Sequence, residues 1–128
     1  MTKYVELHAR SAFSFLEGAS LPEDIVHHCA ALEQPAIALL DRDSVSGIVR
    51  FHMAAKKLGI RAHIGAEITC VDGRRYPLLV ETRAGYQNLC RLITRMKLRA
   101  ERKGCGAHPP GVQEQLRAAL HFACVPAK

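Results

Sequence analysis

The run Ala36-Ile37-Ala38-Leu39-Leu40 constrains this chain more than any other stretch. Five apolar residues in succession, with helical periodicity on either side, mark a strand buried on both faces. Such a strand belongs to a mainly parallel sheet joined by helical crossovers. The flanking segments agree. Before it, Ser20 and Glu23 have capping-box spacing with Pro22 in the first turn, and Ile25, Cys29 and Leu32 form one apolar stripe. After it, Val45, Ile48, Val49, His52 and Ala55 share a helical face, Lys56 and Lys57 fall in the last turn, and Gly59 supplies the stop.

The rest of the chain extends the alternation. KYVELH reads as a first strand ending near His8, and RAHIGAEITCV as a third strand. DGRR reads as a hairpin turn into the strand YPLLVET. AGYQNLCRLITRMKLRAE is a helix with Leu89, Leu92, Ile93 and Met96 turned inward. GCGAHPPG interrupts all regular structure, and VQEQLRAAL and HFACV follow as a short helix and a last strand. The expected order is β-α-β-α-β-β-α, then a weaker α-β.

Bulk properties set outer limits. A chain of 128 residues is one domain's worth, or part of a larger domain. No apolar run reaches the ~20 residues of a membrane span, and the N-terminal segment MTKYVELHAR has no apolar leader, so a cytoplasmic protein with no membrane partner is expected. The five cysteines form an odd set without CxxC spacing, which suits reduced thiols and not a zinc site. The net charge of +6 permits nucleic acid as a partner, and six of the basic residues fall between Arg91 and Lys103. Arg91, Arg95 and Arg99 are spaced by four, on the face opposite the Leu and Ile positions. That face could follow a DNA phosphate backbone or simply be solvated.

Polar residues stand at strand ends, where α/β sheets place their sites. His8 ends the first strand, Asp41 the second, and Glu67 lies within IGAEIT in the third, with Glu17 just before the first helix. A carboxylate in a buried strand is costly unless paired or coordinated. Histidine and carboxylates converging in this way suit zinc or manganese, and a structural salt bridge is the other reading.

The phrases ELHARSAFSFLEGAS, AIALLDRDSVSGIVRFHMAAKKLGI and HIGAEIT resemble the opening motifs of the PHP (polymerase and histidinol phosphatase) domain. More narrowly they resemble the N-terminus of the bacterial C-family DNA polymerases, the polymerase III α-subunit group, and within it the error-prone branch. The likeness runs over about the first hundred residues and weakens after Gly104. It implies a partial PHP-type distorted (β/α)7 barrel of class α/β, with residues 1–104 as the N-terminal part of the PHP domain and 105–128 as a divergent tail. It also implies H-x-H, TDH and G-x-E metal motifs at three strand ends. Here they read His8-Ala9-Arg10, Leu40-Asp41-Arg42 and Gly65-Ala66-Glu67.

Two imidazole positions have thus become guanidinium groups, which are always protonated and offer no lone pair. His8, Glu17 and Glu67 remain as a degenerate metal set. Arg10 and Arg42 are expected to fill the site instead, forming ion pairs with Glu17, Asp41 and Glu67. No cofactor is then expected, with zinc or manganese as the alternative. The resemblance implies a module of an error-prone DNA polymerase, whose nucleotidyl-transfer palm is absent from this chain. Its partners would be the remainder of the polymerase, other replication or mutagenesis proteins, or DNA. The alternatives are a stand-alone metal-dependent PHP phosphoesterase or exonuclease, and a truncated non-catalytic binding remnant.

Overall fold

The computed structural model describes residues 4–70 and 73–99. The elements run β1 (Glu6–Ala9), α1 (Pro22–Ala31), β2 (Ala36–Arg42), α2 (Ile48–Leu58), β3 (Arg61–Thr69), β4 (Arg75–Val80) and α3 (Arg83–Arg99). This is the expected β-α-β-α-β-β-α order. The break at GCGAHPPG, the helix VQEQLRAAL, the strand HFACV and the domain boundary at 104 lie outside the described residues.

The four strands form one sheet in sequence order. β1, β2 and β3 are parallel, and β4 returns antiparallel to β3 through the turn that follows Cys70. The turn is closed by Gly73 N–H donating to the Cys70 carbonyl at 2.9 Å and Cys70 N–H to the Arg74 carbonyl at 2.8 Å, with Gly73 at φ 79°. A positive φ of that size is what glycine supplies without a Cβ penalty.

Register places the core. Ile37 and Leu39 pair with Ala62 and Ile64, and further along the same face Ala66 and Ile68 pair with Leu78 and Tyr76. α1 and α2 cover the β1–β2 end of that face through Val26, Cys29, Phe51 and Ala55, while α3 covers its β3–β4 end through Leu89, Ile93 and Met96. All three helices therefore lie on one side of the sheet, the arrangement of a barrel wall with helices outside. The opposite face carries Leu40, Arg42, Gly65, Glu67 and Arg75 by the same alternation.

α3 turns Leu89, Ile93 and Met96 inward as expected, but the faces of α1 and α2 differ from those the periodicity suggests. In α1 the buried residues are Pro22, Val26 and Cys29, and Leu32 is an exposed C-cap. In α2 they are Ile48, Phe51 and Ala55, while Val49 is 67% exposed and His52 lies in solvent. The reason is area: burying the Phe51 ring rotates α2 by about one residue, since an aromatic side chain contributes more buried surface than valine. The Ser20 capping box is also absent. Leu21 is the N-cap without a side-chain bond, and Glu23 instead accepts from Arg50 Nε at 2.5 Å on the neighbouring helix. Gly59 ends α2 as expected, at φ 70° with Ile60 N–H donating to the Ala55 carbonyl at 3.0 Å.

Gly65 sits at a close approach of β3 and β4. A Cβ there would lie 2.1 Å from the Leu78 carbonyl oxygen, so a side chain would force the strands apart. Gly65→Ala should lower stability by about 1–3 kcal/mol, read as a lower urea midpoint.

A carboxylate–guanidinium cage at the strand ends

The carboxyl ends of β1, β2 and β3 and the amino end of antiparallel β4 meet at one rim of the sheet. Glu67, near the end of β3, is the centre of the site, with its side chain only 3% exposed. Arg10, one residue beyond β1, donates from Nη2 to both of its oxygens, at 2.8 Å to Oε1 and 2.7 Å to Oε2. His8 Nε2 also contacts Glu67 Oε2. An ionised carboxylate only accepts, so Nε2 carries the hydrogen.

Glu17 in the β1–α1 loop is the second carboxylate. It accepts from Arg10 Nη1 at 2.7 Å, from Arg42 Nη1 at 2.7 Å, and from Arg75 Nη2 at 2.9 Å and Nη1 at 3.2 Å. Arg75 Nη1 also reaches Glu67 Oε1, at 3.5 Å. Three guanidinium groups thus enclose two carboxylates, and Arg10 and Arg75 each bridge both.

The titration behaviour follows from this packing. Burial pushes the Glu67 carboxyl up, but the hydrogen bonds from Arg10 and His8 and the charges behind them outweigh it and hold it below the usual carboxylate range. At Glu17 desolvation likewise opposes, and the Arg75 hydrogen bond together with the charges of Arg42, Arg75 and Arg10 prevails, again lowering it. Arg75 is raised, chiefly by its hydrogen bond to Glu17.

Asp41 is not held by the arginines. Its side chain is buried, and it accepts from Ser11 N–H at 2.7 Å, Ser11 Oγ at 2.7 Å and Ser14 Oγ at 2.8 Å. Ser14 Oγ in turn accepts from Arg42 N–H at 3.0 Å. Serine donors on the adjoining loop satisfy this carboxylate, so an arginine partner is not needed there. This corrects the ion pair expected for Asp41.

Arg75, Ser11 and Ser14 belong to the rim as well, although no sequence motif singles them out. The signal for Arg75 lies in the DG turn: an antiparallel return strand brings its first residues back to the rim. Only the register Thr69↔Arg75 decides that it is Arg75 whose side lies with Glu67. Arg91 and Arg95 lie exposed on α3, opposite its buried Leu89, Ile93 and Met96, and are not among the residues that form the cage. The side chain of Arg99 is outside the described residues.

The residues at the rim do not fit a metal ion. All four oxygens of Glu17 and Glu67 already accept from cationic donors, and His8 Nε2 is committed to Glu67. Among the described residues no three His, Cys, Asp or Glu side chains are grouped to hold an ion. Zinc or manganese would have to displace guanidinium groups from both carboxylates before either could serve as a ligand.

Known proteins place the chain. The profile of the PHP domain family matches residues 6–122. An error-prone DNA polymerase of Dechloromonas aromatica is 44% identical over 108 residues, 84% of this chain and 10% of that protein. The error-prone DNA polymerase of Pseudomonas fluorescens is 45% identical over 102 residues, covering 80% of this chain and 10% of its own length. That of Anaeromyxobacter sp. strain K is 47% identical over 98 residues, covering 73% and 9%. The chain spans about a tenth of the length of these curated relatives. Among solved structures, a Bifidobacterium adolescentis protein described as a metal-dependent phosphoesterase superposes with TM-score 0.59 at 19% identity, over 77% of this chain and 34% of that one. An amidohydrolase from Chromobacterium violaceum, solved with bound sulfate and no metal, gives TM-score 0.59 at 23% identity, over 73% and 33%. These two likenesses establish a shared fold.

The cage has a pH signature. Both carboxyl groups titrate lower in the folded than in the unfolded state, so their contribution is complete above the ordinary Glu pKa of 4.5 and is lost as pH falls through the depressed folded values. Urea stability should therefore fall progressively below about pH 4.5. In Glu67→Gln that acid-side slope should be shallower, and stability at pH 7 lower by about 1–3 kcal/mol.

Proposed function

Because the chain belongs to the PHP domain family, we propose that it is the N-terminal PHP module of an error-prone DNA polymerase and acts as a scaffold without hydrolytic activity of its own. The observation that carries this reading is the cage. Where a metal-dependent phosphoesterase needs open coordination positions and neutral imidazoles, this rim presents Arg10, Arg42 and Arg75 locked onto Glu17 and Glu67. The arginines supply the positive charge that balances the carboxylates. Template-directed nucleotide addition, and a place in DNA replication, repair and damage-induced mutagenesis in the cytoplasm, would then belong to the whole polymerase. Among the described residues no helix is long and apolar enough to cross a membrane.

The outer surface of α3 is the surface best suited to DNA. The helix contains no Asp or Glu, and Arg91, Arg95 and Lys97 are exposed on it. No aromatic residue interleaves with them, so contacts would be to phosphate and sequence-independent.

Two measurements test these readings. Purified chain supplied with manganese should not hydrolyse a phosphomonoester or degrade single-stranded DNA, and dialysed protein should retain only substoichiometric zinc or manganese. Robust manganese-dependent turnover would overturn the scaffold reading. On duplex DNA, the Arg91→Glu, Arg95→Glu pair should weaken binding to all sequences alike. It should also reduce the slope of log affinity against log salt by about 1 for each phosphate that the helix ceases to touch; unchanged retention would remove α3 as a DNA surface.

A further inference from the structure

The β1–α1 loop ends in two apolar side chains placed in water. Phe15 is 74% exposed and Leu16 89% exposed, and Leu16 has φ 61°, a left-handed backbone that a branched side chain adopts only at a cost. The loop cannot easily relax out of this conformation. Ser11 and Ser14 tie it to the buried Asp41, and Glu17, the very next residue after Leu16, is gripped by the three arginines of the cage. Inside the loop, Glu17 N–H and Gly18 N–H both donate to the Ser14 carbonyl, at 2.9 Å and 3.0 Å. Gly18 packs so closely that a Cβ would lie 2.2 Å from the Ser11 carbonyl oxygen.

Backbone strain beside exposed apolar surface stabilises nothing within the module. Such strain persists where surrounding structure over-determines it, and it concentrates at functional sites. A rigid apolar tip is also a preorganised anchor, since little ordering entropy is lost when it docks. We propose that Phe15 and Leu16 form a prong that inserts into an apolar pocket in the remainder of the polymerase polypeptide, and that the cage serves to hold this prong in place.

The occupant follows from size. Two side chains bury a few hundred Å² at most, far below the roughly 1,200 Å² of a free-standing specific interface. A contact that small persists when its partner is tethered, because the linked chain supplies a high effective concentration. In the curated relatives the matched segment is about a tenth of the polypeptide, so nine-tenths of such a chain is available to provide the pocket. A separate protein or a second copy would need a larger surface. The inference rests on the reading of this chain as a polymerase module, and the test separates the two.

The experiment compares Phe15→Ser and Leu16→Gly in two settings. One is the 128-residue chain. The other is the Dechloromonas aromatica error-prone polymerase with its matching segment replaced by this chain. In the 128-residue chain neither variant should lower Tm, since both side chains are exposed and glycine tolerates the positive φ of Leu16. In the chimera each should shorten the half-life under limited proteolysis about fivefold or more, the factor that corresponds to losing a buried anchor. Equal half-lives in the chimera would overturn the prong while leaving the module reading intact. A lowered Tm in the 128-residue chain would also overturn it, by showing that the two side chains belong to the module's own packing. Concentration-dependent dimerisation abolished by Phe15→Ser would overturn it in favour of self-association. An unsubstituted chimera that neither folds nor extends primers would overturn the module reading and the prong with it.

Discussion

The burial of Glu67 is the constraint on which the rim depends. A carboxylate at 3% exposure near the end of a central strand must be neutralised where it stands, or the strand end opens to water. Arg10, His8 and Arg75 meet that need with directed, charge-assisted bonds. Because Glu17 shares Arg10 and Arg75 with Glu67 and adds Arg42, the charges form one network and not a set of pairs. The network contacts residues at the ends of all four strands and the first loop. It closes the rim much as a bound ion would, with an entropy cost for ordering three long side chains that a compact ion avoids.

Asp41 shows a second solution to the same problem near the end of β2, on the other face of the sheet. Its carboxylate takes three neutral donors from two serines of the β1–α1 loop, so a strand-end charge organises a loop without recruiting a cation. The two solutions act on one segment. Ser11 and Ser14 fix the loop before its tip, Glu17 fixes it just after, and Phe15 and Leu16 are the residues left between the fixed points. The apolar tip is exposed because both of its flanks are committed to polar work.

Much of the architecture was legible because its signals are local. The apolar run 36–40, the Pro and Gly punctuation and the DG turn are properties of short segments, and they placed all seven described elements. The faces of α1 and α2 were less legible than that of α3. Periodicity counts Val49 and Phe51 as equally apolar, while packing weighs them by the area each removes from water. At the rim, the strand-end motifs brought His8, Arg10, Glu17, Asp41, Arg42 and Glu67 to attention; five of them join in the cage, while Asp41 alternates to the other face and turns to Ser11 and Ser14. Their partners were less evident. A serine in SAFS looks like loop filler until the fold sets it against Asp41, and the choice between Arg74 and Arg75 depends on a register that a one-residue slip would reverse.

Charge accounting separates the two basic regions of the molecule. In the cage, Arg10, Arg42 and Arg75 face Glu17 and Glu67, so most of their charge is balanced at contact distance and little field projects outward. On α3 no acidic residue lies within the helix to offset Arg91, Arg95 and Lys97. The excess behind the chain's net charge of +6 is therefore expressed more by that outer helix than by the arginine-rich rim. Long-range attraction to a polyanion scales with uncompensated charge, so the denser cluster of arginines is the structural one, and the sparser row is the one able to steer an encounter.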